Sequence, residues 1–493
     1  YYNWGLHVMS PKPLTPAATT KLALISRQAL GGSSAQNITE NDYLPALPVL
    51  DDFIERLRNS HNLPDLTGVG LIAIQHLIPT SGTFLVTLIK SLGIKPKDAC
   101  ALGKCYSTDT RVANVLRKFG LNVMEGTKPQ RLGEYKEVHN NDAKRLWKAF
   151  MVHCEKNNIK KIVILSDGAA LIEMAPPLDD YEVFAVEQTR HGRYSMNEQE
   201  ARFPIINAAQ SAVKQEIEPL LIQRAMLSRL QGMFDNIDKT KTNIGIVGYG
   251  AIGKAVVQYL LANAYKVLVY DQDKTSMQDL PEINHAESLR YLIVNSHYIF
   301  GCTGQDITKE IDFFSINGWD RHVGSLSSGD AELNNLLLKV QQLLDTTADK
   351  DATVIVDTTK DVEVKTRRGN RLHILKGGFP VNFAGVDTPD DPEEFVLTRL
   401  ILYASIIQGS KLFGKPYSGA RNIMLDPHAQ RHIALSWHDA LTTLRDDPQI
   451  KQLPIEKFHY LDWIADHSHG TKMSYDDRNP FICQTKSGLI AKL

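Results

Sequence analysis

One hexapeptide constrains this chain more than any other feature. Gly248-Tyr249-Gly250-Ala251-Ile252-Gly253 lies between the apolar run NIGIV (243–247) and the helix-like run KAVVQYLLANA (254–264). Glycines spaced G-x-G-x-x-G between a strand and a helix predict a particular turn. The first permits a tight bend, the second lets backbone approach a diphosphate, and the third lets the helix close on the strand. The helix N-terminus then presents unpaired N–H groups and its positive dipole end to the phosphates. The next apolar run, KVLVYD (266–271), ends in Asp271, whose carboxylate can accept ribose hydroxyls and would repel a 2′-phosphate. The segment therefore predicts a Rossmann unit that takes NAD rather than NADP. Its contacts would be Gly248, Gly250, Ala251, Ile252, Gly253 and Asp271. A glycine turn without a ligand is the bland alternative, and the strand, helix and acid in sequence all count against it.

This unit begins only halfway along 493 residues, a length too great for one hydrophobic core. A second large domain must precede it. Strand-like runs at 70–77, 97–107, 161–168 and 181–189 alternate with helical spacing at 79–92 and 141–157. After a long helical segment, 207–235, further strand candidates follow at 243–250, 266–271, 297–304, 320–328, 352–357 and 371–378. Such alternation implies parallel sheets covered on both faces. The fold class expected is α/β with two domains, a Rossmann NAD-binding fold and a doubly wound substrate domain. Expected boundaries are a poorly ordered lead-in at 1–40, a substrate domain at 41–220 and the NAD domain at 221–388. An apolar return helix (395–407) and a C-terminal extension occupy 389–493, and no period in the last part supports a structural reading.

Composition narrows the partners. A net charge of -1 provides no electrostatic reason for binding nucleic acid or an anionic membrane. No apolar run approaches the length of a membrane span, and the N-terminal residues carry no export pattern. The 5 cysteines are odd in number and lack zinc-type C-x-x-C spacing, which fits a reducing, cytoplasmic setting. His428 and His432 are four apart and His467 and His469 two apart, but no third ligand accompanies them, so no metal is expected. The expected ligand besides NAD is a small-molecule substrate.

Several segments in order are similar to one family. GVGLIAIQHLIPTSGTFLVTLIKSLG (68–93), CYSTDTRVANVL (105–116), SDGAAL (166–171), EQTRHG (187–192) and FPIINAAQSAVKQEIEP (203–219) resemble segments of adenosylhomocysteinase. The fingerprint and Thr303-Gly304 follow at about that family's spacing. The resemblance implies a homo-oligomeric, NAD-dependent hydrolase or lyase of a nucleoside-like thioether, acting by transient oxidation of a ribose hydroxyl. It implies His76 and Asp167 as acid/base groups, Lys214 beside the oxidised hydroxyl and Asn207 organising the lysine segment, with Gln188 and Glu218 at substrate-contacting positions. On the cofactor side it adds Thr189, Thr303, Gly304, Gly324 and Asn382.

The same positions depart from the family's pattern. Gln188 replaces a glutamate, Arg190 and His191 replace threonines, and Glu218-Pro219 replaces Asp-Asn. Gly324-Ser325 stands for Gly-His, Ile78 and Thr80 for Thr and Glu, and Asp390-Asp391-Pro392 for Gly-His-Pro. Arg190 and His191 are candidates for contacting an acidic group, or are surface charges. Cys302 beside the Thr-Gly turn reads as an apolar filler. Lost polar contacts should change the preferred substrate. The alternatives are an NAD-dependent oxidoreductase of a small hydroxy compound, and an inactive regulatory homologue that binds NAD or a nucleoside.

Overall fold

The computed structural model describes residues 43–189, 202–235, 237–309, 311, 313, 320–327, 329–346, 357–365, 371–383, 391–414, 422–453 and 455, and the strands at 474–475, 482–485 and 488–491. The expected lead-in, Arg190, His191, His467, His469 and nearly all of the strand candidate at 352–357 lie outside these residues.

The first sheet grows from β1 (Val69–Gln75), every residue of which is buried. It pairs in parallel with β2 (Ala99–Gly103) on one side and β4 (Lys161–Ser166) on the other. β3 (Asn122–Met124) extends the β2 side, and β5 (Glu182–Glu187) and β6 (Ile205–Asn207) extend the β4 side. A strand apolar on both faces needs cover on both. On one face lie α1 (Pro48–Asn59), α2 (Pro79–Ser91) and α3 (Thr110–Phe119); on the other lies α4 (Tyr135–Lys156). Asp109 caps α3 by accepting the Arg111 amide, and Gly120 ends it at φ 102°.

The expected helix at 207–235 is not continuous. The chain makes β6, a 3₁₀ turn, a short helix α5 (Ala212–Glu216) and then α6 (Glu218–Phe234). Asn207 and Ser211 explain the breaks, because each turns its side-chain oxygen onto the backbone ahead of it and so starts a new cap.

The second sheet has the order β11-β12-β10-β9-β7-β8, where β7 is Asn243–Val247, β8 Lys266–Tyr270, β9 Tyr298–Gly301, β10 Asp320–Ser325, β11 Val362–Lys365 and β12 Arg371–Ile374. All its pairs are parallel except β11 with β12. Beyond β8 a single parallel bridge, Val269 to His285, continues the sheet. Helices α7 (Ala251–Ala262), α8 (Leu289–Asn295) and α9 (Asn334–Thr346) cover its faces together with α6. The α/β class with a Rossmann-type unit and a second parallel sheet is thus observed.

The chain after 391 returns to the first sheet. α10 (Pro392–Ser410) is buried along most of its length against the α1–α2 face. β13 (Asn422–Met424) adds in parallel beside β6, and the strand Gly488–Ala491 beside β13. Asp391-Pro392 and Asp426-Pro427 each begin a helix, the aspartate accepting two amides of the first turn. The return helix expected at 395–407 thus begins earlier, at Pro392, with Asp391 as its cap. α11 (Pro427–Leu444) inserts Trp437, fully buried, whose indole N–H donates to the Glu393 and Glu394 carbonyls. Among the described residues no helix is long and apolar enough to cross a membrane.

Trp437→Ala should lower stability by about 3–5 kcal/mol in a denaturant melt. A loss below about 1 kcal/mol would mean that α11 is not part of the core.

Candidate active site and cofactor cradle

Parallel strands align their carboxyl ends along one rim, and an open α/β sheet binds ligands where the strand order reverses. In the first sheet that reversal lies between β1 and β4. His76 directly follows β1, Asp167 follows β4 and Lys104 follows β2. The three meet. Lys104 Nζ donates to Asp167 Oδ1 at 2.5 Å, and His76 Nε2 lies 3.3 Å from Asp167 Oδ2. His76 Nδ1 is 2.5 Å from the Ser107 hydroxyl. Lys104 and Asp167 are only 2% and 1% exposed, so this is an ion pair out of water.

Electrostatics sets the protonation of each group. Burial, and then the Lys104 charge, push the His76 pKa down to about 3, so the imidazole is neutral near pH 7. Burial opposes charge on Lys104 and Asp167 alike, and their mutual attraction overrides it. Lys104 is held above its ordinary range and Asp167 below its own. Among the described residues Asp167 Oδ2 accepts no hydrogen bond. A neutral imidazole beside a fixed carboxylate with a lone pair to spare suits proton transfer.

The other substrate-side residues expected in the site follow β5 or lie in β6, α5 and α6. Gln188 accepts from Gln75 Nε2 at 3.0 Å. Thr189 turns its amide and hydroxyl onto buried Glu187, both at 2.8 Å, and Glu187 also accepts the amides of Gly168 and Ala169. Lys214 Nζ donates to Glu218 Oε1 at 2.8 Å, which Thr398 also reaches at 2.6 Å. The Lys214 and Arg399 charges both act on His76. Asn207 donates to Gln210 and Asn422. His432 packs on the Phe53 ring, and His428 is exposed at the start of α11.

Aromatic rings from the second unit close over the centre. Phe383 stacks on His76 with ring centroids 4.0 Å apart, and Phe379 on Tyr106 at 4.6 Å. The Tyr106 hydroxyl accepts the Gly329 amide at 3.3 Å. Asn382, next to Phe383, is 7% exposed, and its Oδ1 has no hydrogen bond among the described residues. Lys104, Ser107, Phe379 and Phe383 escaped the sequence reading. For Lys104 and Ser107 the available signal was the run GKCYS directly after a buried strand.

The fingerprint residues form a cradle. Gly248 has φ 98°, and a Cβ on Gly253 would stand 2.0 Å from the Gly248 carbonyl oxygen, so α7 starts against the end of β7. At Gly250, where α7 begins, a Cβ would meet nothing within 4 Å, leaving an open face above the helix N-terminus. Ala251 and Ile252 form its first turn. Asp271 directly follows β8, with Oδ2 accepting the Tyr249 amide at 2.6 Å and Oδ1 the Asp273 amide at 2.9 Å. Cys302, Thr303 and Gly304 follow β9, and burial pushes the Cys302 thiol far above its usual pKa. Gly324 lies inside β10 between the Phe300 and Leu375 side chains. A tight glycine turn, open helix terminus and oriented acid fit NAD.

Part of the second unit is similar to one domain of a dehydrogenase family. The family model described as D-isomer specific 2-hydroxyacid dehydrogenase, NAD binding domain, matches residues 223–310. The unit around β7 is an NAD-binding domain. Two uncharacterized proteins of Mycobacterium tuberculosis, MT0113 and Rv0104, are each 27% identical over 351 residues, which is 70% of this chain and 65% of theirs. The match thus spans just under two thirds of those relatives. Among solved structures, Salmonella D-lactate dehydrogenase is similar at 12% identity, covering 71% of this chain and 98% of that one, with a TM-score of 0.32. The 2-hydroxyacid dehydrogenase of Ketogulonicigenium vulgare is similar at 11% identity, 71% and 97% coverage, with a TM-score of 0.33.

The family match corrects the resemblance to adenosylhomocysteinase and the hydrolase or lyase activity drawn from it. The motifs behind that resemblance sit at strand ends and the first turns of helices, where any doubly wound sheet needs glycine, small polar residues and an occasional charge. Their order reports the shared strand–helix alternation and leaves the reaction open.

Removing one member of the buried pair strands the other. Lys104→Met or Asp167→Leu should each cost about 3–5 kcal/mol, and the double variant less than the sum. For His76 the folded pKa lies below the unfolded value near ~6.5. The folded state then binds fewer protons, and its contribution is full above that pH and lost as pH falls toward 3. Urea melts between pH 7 and 4 should show falling stability, with a shallower slope for His76→Asn.

Proposed function

We propose that this chain is an NAD-dependent oxidoreductase that interconverts a small 2-hydroxy acid and its keto form. The observation that carries this reading is the match of residues 223–310 to the NAD-binding domain of 2-hydroxyacid dehydrogenases. The buried centre at the end of the first sheet supplies the proton chemistry such a reaction requires.

Bound NAD supplies the hydride acceptor. Gly248, Gly250, Gly253 and the first amides of α7 would hold its diphosphate, and Asp271 a ribose. In oxidation the substrate hydroxyl must also lose a proton. His76 is neutral and offers Nδ1, where the Ser107 hydroxyl now sits. Asp167 lies behind Nε2 and would stabilise the imidazolium that forms, while Lys104 keeps that carboxylate ionised. Phe383 covers the face of the imidazole and leaves Nδ1, in the ring plane, to the Ser107 hydroxyl, which a substrate hydroxyl would displace.

The test is NADH absorbance with purified protein and NAD against a panel of D- and L-2-hydroxy acids, with 2-keto acids and NADH for the reverse direction. Wild type should turn over at least one acid, and His76→Asn should lower kcat by about 10²–10⁴-fold. Bound NAD with no change in NADH on any of these acids would sink the proposal.

A further inference from the structure

The turn after β9 is built on a carboxylate that no sequence motif marked. Glu332 is fully buried in the 3₁₀ turn ahead of α9 and reaches back beneath Thr303 and Gly304. Its Oε1 accepts the Gly304 amide at 3.0 Å, the Thr303 hydroxyl at 3.1 Å and the Thr303 amide. Its Oε2 accepts the Ser325 hydroxyl at 2.9 Å. Space for this group exists because residue 301 is glycine: a Cβ there would stand 2.6 Å from Oε2. Four donors gathered on one buried carboxylate offset part of the cost of taking it out of water, burial still holding its pKa above the ordinary value. They also tie the turn rigidly to β10 and to the start of α9.

The position of that turn gives the arrangement its meaning. β7 ends at the glycine cradle, and β8 on one side is followed directly by Asp271, the acid suited to the adenosine-side ribose. β9 flanks β7 on the opposite side, so its end lies toward the nicotinamide half. The contact is close: a Cβ on Gly248 would meet Thr303 Cγ2 at 2.9 Å.

We propose that Glu332 is a positioning residue for the nicotinamide half of bound NAD, holding the Thr303–Gly304 turn at a fixed height beside the cradle without itself touching the cofactor. The role depends on the cofactor cradle and is independent of which hydroxy acid is the substrate.

The experiment is calorimetric titration of the full chain with NAD and, separately, with ADP, which lacks the nicotinamide riboside. Glu332→Met should weaken NAD binding by about tenfold or more, the loss of a hydrogen-bonded charged group. ADP binding should stay near the wild-type value. Glu332→Gln keeps an acceptor under the two amides and should recover most of the NAD affinity. Should Glu332→Met fail to fold, Gly301→Ala, which drives a Cβ into the carboxylate, must show the same split between NAD and ADP. Equal weakening of NAD and ADP would overturn the proposal, since Glu332 would then serve only the folding of the domain. NAD affinity unchanged from wild type would overturn it as well.

Discussion

The ion pair between Lys104 and Asp167 is the interaction on which the arrangement of this protein depends. Two charges buried to this degree persist only if water is kept out and the geometry is held from all sides. The first sheet supplies half of that condition by delivering the two residues from strands on either side of β1, so that they meet beside His76. The second unit supplies the other half. Phe379 and Phe383 lie over Tyr106 and His76 as a nonpolar cover. A rim of polar contacts from the loop between β3 and α4 fastens that cover, with Lys128 on Asp357 at 2.7 Å, Arg131 on Asp345 at 2.5 Å and Asn334 on the Gly133 carbonyl at 3.0 Å. Protonation states in the centre are therefore a property of how the two units meet.

The two sheets repeat one principle with different contents. Each places its chemistry at the carboxyl ends of parallel strands, beside the strand where the order reverses. In the first sheet those ends carry ionisable side chains. In the second they carry backbone: glycines, an open helix terminus and a turn hung on buried Glu332. Side chains suit proton transfer, whereas backbone amides suit a diphosphate, which needs several donors at close range. The segment after 391 joins the first sheet through α10 and β13, so the chain leaves one unit, builds the other and returns. Such a double crossing leaves two connections between the units, consistent with an interface fixed by side-chain contacts rather than by a single linker.

Much of this was legible in the sequence because it depends on local grammar. The fingerprint could be read since its glycines answer to backbone geometry within one turn. β1 and β4 could be read since a strand buried on both faces is continuously apolar. The helix expected over 207–235 failed where Asn207 and Ser211 turned their side chains onto the backbone, a choice that apolar periodicity does not record. The C-terminal strands went unread because β13 is three residues long and owes its existence to the free edge of β6. The likeness to adenosylhomocysteinase misled for a related reason. Small residues and glycine at strand ends are demanded by the architecture, and families that share the architecture share them without sharing a reaction.

What the sequence determined by itself is the α/β class, the place of the NAD-binding unit and the residues of its glycine turn, each set by interactions among near neighbours in the chain. Which distant side chains meet was decided only in three dimensions. Lys104 in sequence is one lysine among many; beside Asp167, 63 positions away, it becomes a locked charge. Glu332 reads as a helix-start acid until the fold brings Thr303, Gly304 and Ser325 onto it, and Phe383 as an ordinary apolar residue until it lies on His76. The physical reason is common to all three. Desolvation and partnership fix the behaviour of such groups, and both arise only when segments far apart in the chain exclude water together.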